Sequence, residues 1–262
     1  MAEEFPPWLH FSPNVEKSFH FPYIFTLRPR ENHQLVPQLK RILSAEELQA
    51  CRRTISEHER RTFAIARGAL RCLIAWMEGL DNPKTIKIKR EKMGKPVLDQ
   101  MRSSGNIWFS VSYSSDLVCI ALAHRHPVGI DVEERRTVRF PHDISSYAFS
   151  YAESAWLRTV KAPILDDAFL RLWTRKEAVL KCFGGTVARD MHAFTVPLCL
   201  YGGKWIVPVG SVFTSAGSVS LMDFGIDDMF YGAICWGGSY TSPAHYEISK
   251  DSLEKLARLQ IR

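Results

Sequence analysis

Apolar residues recur at helical spacing in the middle of each half of this chain and alternate with polar ones around it, and the change of period marks out the elements. From about Arg60 to Gly79, Phe63, Ala66, Leu70, Leu73, Ile74 and Met77 share one helical face. Ser44-Ala-Glu-Glu47 has the form of a capping box and predicts a preceding helix that runs to about His58. In the other half the pattern predicts helices over about Asp143 to Val160 and Asp166 to Phe183. Strands are expected at Tyr23 to Leu27, Ile107 to Ser112 and Leu117 to Ala123, the last two joined as a hairpin at Ser114-Ser-Asp116. A further strand falls at Val128 to Glu133, and others near Phe194 to Leu200, Lys204 to Val209, Ser218 to Phe224 and Tyr231 to Trp236.

Each half therefore reads as a strand, a helix pair and antiparallel strands. Asp116-Leu-Val-Cys-Ile-Ala-Leu-Ala and Asp228-Met-Phe-Tyr-Gly-Ala-Ile-Cys-Trp are faintly alike as well. The expected fold class is α+β, two similar halves related by a pseudo-two-fold axis, with a site at their interface. The expected division is an arm over residues 1–22, a first half over 23–125 and a second over 126–262.

Composition narrows the class. An apolar share of 46% and a charged share of 24% suit a soluble globular protein. No stretch reaches the roughly 18 apolar residues a membrane span needs, and the first residues lack a signal-peptide pattern, so a cytoplasmic protein without a membrane partner is expected. Six cysteines stand in apolar or helical contexts without Cys-x-x-Cys spacing and read as buried free thiols. The net charge of +6 is unevenly spread: residues 28–102 hold 17 Lys and Arg against 9 Asp and Glu. A basic field of this kind attracts nucleic acid, phosphorylated small molecules or acidic proteins. No nucleic-acid motif and no aromatic-interleaved basic run accompanies it.

Two segments carry the candidate chemistry. In Val128-Gly-Ile-Asp-Val-Glu133, alternation places Val128, Ile130 and Val132 on one face and Gly129, Asp131 and Glu133 on the other. In Trp173-Thr-Arg-Lys-Glu-Ala-Val-Leu-Lys181, the apolar stripe of Leu165, Ala168, Phe169, Leu172, Val179, Leu180 and Phe183 has Lys176 near its centre, and Glu177 lies on its edge one turn from Lys181. A charge at the middle of a buried face calls for an anionic partner, which for Lys176 is expected to be a phosphate. Hard oxygen ligands from Asp131, Glu133 and Glu177 suit Mg²⁺, which commonly completes its shell with substrate phosphates. The reaction class is metal-assisted attack on a phosphodiester or pyrophosphate.

These residues resemble the 4′-phosphopantetheinyl transferases of the larger, pseudo-dimeric class typified by the surfactin-synthetase-activating enzyme. The likeness rests on a Gly-x-Asp-x-Glu strand, met by Gly129, Asp131 and Glu133, and on a Trp-x-x-Lys-Glu-Ala-x-x-Lys helix, met by Trp173, Lys176, Glu177, Ala178 and Lys181. Gly94-Lys95-Pro96 and Phe149-Ser150-Tyr-Ala-Glu153 are similar to two further elements, in the same order, between about residues 23 and 240. The resemblance implies a holo-acyl-carrier-protein synthase. Such an enzyme moves phosphopantetheine from coenzyme A to a serine of an apo acyl or peptidyl carrier protein, with Mg²⁺ or Mn²⁺, and releases adenosine 3′,5′-bisphosphate. It implies Asp131, Glu133 and Glu177 as metal ligands, Glu177 as the acceptor of the serine proton, and Lys176 and Lys181 as phosphate ligands. Lys95 and Pro96 would border the adenine.

One departure stands out: where the family usually has Phe-Asn-x-Ser-His-Ser, this chain has Phe109-Ser-Val-Ser112-Tyr113-Ser114. Tyr113 would then lie beside the 3′-phosphate, where a tyrosine adds no positive charge, and Ser112 is expected among the residues that bind coenzyme A. Arg61 and Arg67 are the expected compensation, with Thr62 at a position where arginine is common in the family. A monomer is expected. The other readings open to the residues are a metal-dependent hydrolase of coenzyme A or nucleotides and a non-catalytic module for acidic partners.

Overall fold

The computed structural model describes residues 9–10, 21–91, 93–99, 107–210, 213, 217–238 and 242–259. Most of the expected arm over 1–22 lies outside the described residues. The strands are β1 (Leu9–His10), β2 (Tyr23–Leu27), β3 (Ile88–Arg90), β4 (Pro96–Leu98), β5 (Ile107–Ser114), β6 (Leu117–His124), β7 (Val128–Glu134), β8 (Lys204–Pro208), β9 (Ser218–Phe224), β10 (Phe230–Trp236) and β11 (Ala244–Glu247). The helices are α1 (Pro29–Asn32), α2 (Val36–Lys40), α3 (Ala45–Arg53), α4 (Glu57–Glu78), α5 (Pro141–Ala148), α6 (Tyr151–Thr159), α7 (Leu165–Phe183), α8 (Val187–Asp190) and α9 (Lys250–Leu259).

The strands form two principal sheets, ordered β1-β11-β2-β6-β5 and β7-β10-β9-β8, with β3 and β4 paired apart. Each sheet has one long helix packed on it. In the first, Ala69, Leu73 and Met77 of α4 share a buried cluster with Tyr23, Phe25, Ile120 and Leu122. In the second, Ala168, Leu172 and Val179 of α7 share one with Leu221, Ala233 and Cys235. A third cluster joins the halves, uniting Ile24, Cys119 and Ala121 with Val128, Ile130, Val132, Ile234 and Trp236. The alternation expected along β7 is therefore met. Its even residues fill the seam between the sheets and its odd residues face α7.

The second half does not run to residue 262 as expected. β11 pairs parallel to β2 in the first sheet, and Leu253, Leu256 and Ala257 of α9 enter the first half's core. The reason is apolar surface: α4 is buried along most of its length, and α9 covers part of it.

Two other expectations are corrected by side-chain chemistry. The single helix from Asp143 to Val160 is broken at Phe149, because Ser150 and Glu153 form a capping box that starts α6 afresh. No strand forms over 194–200. Its carbonyls at Pro197 and Cys199 accept hydrogen bonds from the buried Arg175 guanidinium, at 2.7 and 3.0 Å, and the Val196 amide donates to Glu153 at 2.8 Å. Side chains of α6 and α7 thus satisfy the backbone groups that a ladder would have used.

Candidate active site

The site begins with a glycine. At Gly129 a Cβ would sit 2.0 Å from the Ala178 carbonyl oxygen and 2.3 Å from the Cys182 amide nitrogen, so only glycine lets β7 approach α7 this closely. That approach sets Asp131, one pleat along, beside the turn of α7 that carries Glu177 and Lys181. The Lys181 ammonium lies 2.6 Å from Asp131 Oδ1. Ser112 of β5 donates to the same oxygen at 2.8 Å and accepts from Lys181 at 3.0 Å. Asp131 Oδ2 is buried with no hydrogen-bond partner.

Three carboxyl groups press on one another here. Burial raises the Asp131 carboxyl above its ordinary range, against the pull of Lys181 and Ser112. Glu133 is raised by burial and by Asp131, while Arg136, 3.3 Å away, draws it down. Glu177 is pushed up to about 7, by burial first and then by Asp131 and Glu133, with Lys181 opposing. Among the described residues no three His, Cys, Asp or Glu side chains are closed round a common point. The electrostatic coupling still marks Asp131, Glu133 and Glu177 as neighbours, and it reaches further than ligating distance.

Beside the carboxylates lies a cavity of 320 Å³ whose lining includes Phe63, Arg67, Arg90, Lys95, Pro96, Phe109, Tyr113 and Lys181. Four cations and no carboxylate line it, as an anionic ligand requires. Lys181 belongs to both places, since it lines the cavity and touches Asp131. Arg67 is the least satisfied of the cations. Its Nη1 is buried without a partner, burial lowers its pKa, and its guanidinium lies 5.6 Å from the Phe63 ring centre. The Lys95 ammonium donates to the Cys182 carbonyl at 2.5 Å and so caps the end of α7 from the first half. Tyr113 is 59% exposed at the rim.

Of the residues expected from sequence, the structure thus gathers Asp131, Ser112 and Lys181 in contact, with Glu133 and Glu177 alongside. It sets Arg67, Lys95, Pro96 and Tyr113 round the adjoining cavity. Arg61 is elsewhere: it is half-exposed, paired with Glu57, and absent from the lining. Lys176 requires a correction. It is fully buried, with its ammonium 2.6 Å from Glu153 and from the Phe194 carbonyl, so the anion that the helical phase demanded is a carboxylate of the protein itself. Arg90 was not foreseen. It donates to the Gly94 carbonyl at 3.0 Å and so braces the turn that carries Lys95, and the basic run Lys87-Ile-Lys-Arg90 was its only sequence signal.

Comparison with known proteins agrees with the two-part architecture. Residues 29–125 match a family model described as 4′-phosphopantetheinyl transferase, N-terminal, and residues 127–220 match the 4′-phosphopantetheinyl transferase superfamily. The chain is 28% identical over 182 residues to the 4′-phosphopantetheinyl transferase HetI of Nostoc sp., covering 70% of this chain and 76% of that protein. It is 28% identical to a 4′-phosphopantetheinyl transferase of Bacillus subtilis over 60% of this chain and 66% of the relative. A similar enzyme of Aneurinibacillus migulanus is 29% identical over 43% of this chain and 44% of its own length. The candidate site lies where the two halves of this α+β fold meet. The chain belongs to the 4′-phosphopantetheinyl transferase superfamily, in its larger, two-half form.

Proposed function

We propose that this chain transfers the 4′-phosphopantetheine group of coenzyme A to a serine hydroxyl of an apo carrier protein, releasing adenosine 3′,5′-bisphosphate, with Mg²⁺ or Mn²⁺ as the cation. The observation that carries this reading is Lys181, which joins a cation-lined cavity to a set of carboxylates whose Asp131 Oδ2 is buried and unanswered.

The residues suit a hard divalent cation. Asp131 Oδ2 is a buried acceptor, and Glu133 and Glu177 offer oxygens that mutual repulsion makes ready for a countercharge. Asp131, Glu133 and Glu177 would hold it, and it would supply Lewis-acid stabilisation of the phosphate oxygens. The remaining work falls to the chain. The carrier serine oxygen bonds to the phosphorus that bears pantetheine, the bond from that phosphorus to the bridging oxygen breaks, and its electron pair leaves with adenosine 3′,5′-bisphosphate. The serine proton passes to Glu177, which stands on the turn of α7 beside Asp131 and Lys181. Lys181 offsets charge on the leaving phosphate. Arg67 and Arg90 receive the 3′-phosphate with the Tyr113 hydroxyl, in place of a histidine, and Lys95 and Pro96 border the adenine. Carrier proteins are acidic as a class, and the outer lip past Glu134 offers Arg135, Arg136 and Arg139 with the exposed rings of Phe140 and Tyr147. The acceptor would be an acyl carrier protein or the carrier domain of a polyketide or nonribosomal peptide synthase. A monomer in the cytoplasm suffices, because one chain supplies both sides of the site.

The test is labelling of a purified apo carrier from coenzyme A, read by intact mass with and without Mg²⁺. Labelling should require the cation, and Glu177→Gln should slow it by about 10²–10⁴-fold. Equal rates for parent and variant would remove Glu177 from the reaction. Bisphosphate release without a mass gain on the carrier would mark a hydrolase instead.

A further inference from the structure

β7 is an edge strand: in its sheet it pairs with β10 alone, and its outer side faces β5 of the other sheet. Edge backbone groups buried at such a seam need partners. β5 supplies them with side chains on every second residue. The Ile130 amide donates to Ser110 Oγ and the Glu134 amide to Ser114 Oγ, both at 3.1 Å. Between them Ser112 does something else. Its hydroxyl donates to Asp131 Oδ1 and accepts from Lys181, and it is only 5% exposed. Two serines of the row hold backbone, and the middle one holds the carboxylate.

Asp131 can turn about its last side-chain bond, and its two oxygens are chemically equal until something distinguishes them. Lys181 alone does not fix the choice, since a flexible ammonium can follow either oxygen. Ser112 sits on a strand of the other half and bonds both partners at once, so it selects which oxygen meets the lysine and which stays open. We infer that Ser112 is a positioning residue: by holding Asp131 Oδ1 against Lys181 it keeps Oδ2 presented for a divalent cation. This rests on the reading of Asp131 as a metal ligand, and it assigns Ser112 a task apart from any contact with coenzyme A. The site is thereby completed from the first half, and it depends on the docking of the two sheets as well as on β7 and α7.

The test is a Mn²⁺ titration followed by electron paramagnetic resonance, on the full chain with saturating coenzyme A and no carrier. Ser112→Ala removes one oxygen from the network and should weaken Mn²⁺ binding about tenfold or more, the usual scale for groups that orient a ligand. Ser112→Thr keeps the hydroxyl and should bind as the parent does. Ser114→Ala, which loses the bond to the Glu134 amide and lies outside the cavity lining, should lower the thermal midpoint and leave Mn²⁺ affinity within about twofold. The inference is overturned if Ser112→Ala binds Mn²⁺ like Ser112→Thr, or if Ser114→Ala weakens binding as much. A parent that labels carrier yet binds no Mn²⁺ also overturns it. A parent that neither labels carrier nor binds Mn²⁺ removes the functional reading itself, a result distinct from failure of Ser112 alone.

Discussion

Both halves contain the same clamp, and only in the second does the clamped helix go on to carry residues of the candidate site. In the first half Ser44 and Glu47 cap α3, and Glu47 also takes the buried Arg71 of α4 at 2.6 Å. In the second half Ser150 and Glu153 cap α6, and Glu153 also takes the buried Lys176 of α7 at 2.6 Å. Each cation then finishes on backbone carbonyls, Arg71 on Pro83 and Ile86 and Lys176 on Phe194. The device is the same: a capping-box glutamate anchors the long helix that lies on its sheet. What the second half adds is the next turn of the helix, Glu177 and Lys181 facing Asp131. The lesson concerns buried charge. Lys176 and Lys181 share a helix and a chemistry, yet the first is fully satisfied by scaffold and the second stands against a carboxylate with an open oxygen.

The sharpest way to break this comparison is to remove the clamp. Lys176→Met leaves the Glu153 charge buried and unpaired and should cost about 3–5 kcal/mol of stability by denaturant unfolding, with Arg71→Met similar in the other half. A stable Lys176→Met variant that had lost only its affinity for coenzyme A would return Lys176 to the phosphates. Next in size is Lys181→Met. It should lower carrier labelling by about 10²-fold, roughly 3 kcal/mol at the transition state. Its unfolding free energy should fall by less than that of Lys176→Met, because Lys181 is 32% exposed where Lys176 is fully buried, although Asp131 is left buried without its cation.

The smallest effect tests the joint between the halves. The His245 ring of β11 meets the Phe224 ring of β9 edge-on at 5.3 Å, and burial lowers its pKa to about 4. A group whose folded pKa lies below its unfolded value of 6.5 contributes stability above pH 6.5, and that contribution is lost as pH falls toward 4. Unfolding curves should therefore lose on the order of 1–3 kcal/mol over this window. His245→Gln should flatten that part of the dependence, and an unchanged slope would show that the ring is not buried neutral.

Much of this was legible in the chain. Period alone placed α4, α7 and the β5–β6 hairpin, because each buries a continuous face against one neighbour. The alternation of β7 and the phase of α7 brought Asp131, Glu133, Glu177 and Lys181 into one list. Phase showed that Lys176 is buried but not what it meets, since its partner Glu153 lies on another element. The signal for that partner was present in Ser150-Tyr-Ala-Glu153, which has the capping-box spacing already noticed at Ser44. The segment over 194–200 looked like a strand because its apolar residues alternate, and only the tertiary position of Arg175 decides otherwise. Three of the cavity's four cations, Arg67, Lys95 and Lys181, were legible. Arg67 came from a helix face, while Arg90 depends on a turn whose course no local pattern fixes.

The return of β11 and α9 to the first sheet has a consequence for synthesis. Thr26 of β2 meets His245 of β11 across 219 positions of chain. On a ribosome, β2, β6 and α4 emerge long before the strand that lies beside them, so the first half waits with an open sheet edge while the whole second half is made. A gene cut between the halves would put that strand on the wrong fragment. The two halves look like interchangeable cassettes, but they are stitched by a segment made after both, and neither is a finished product without the other.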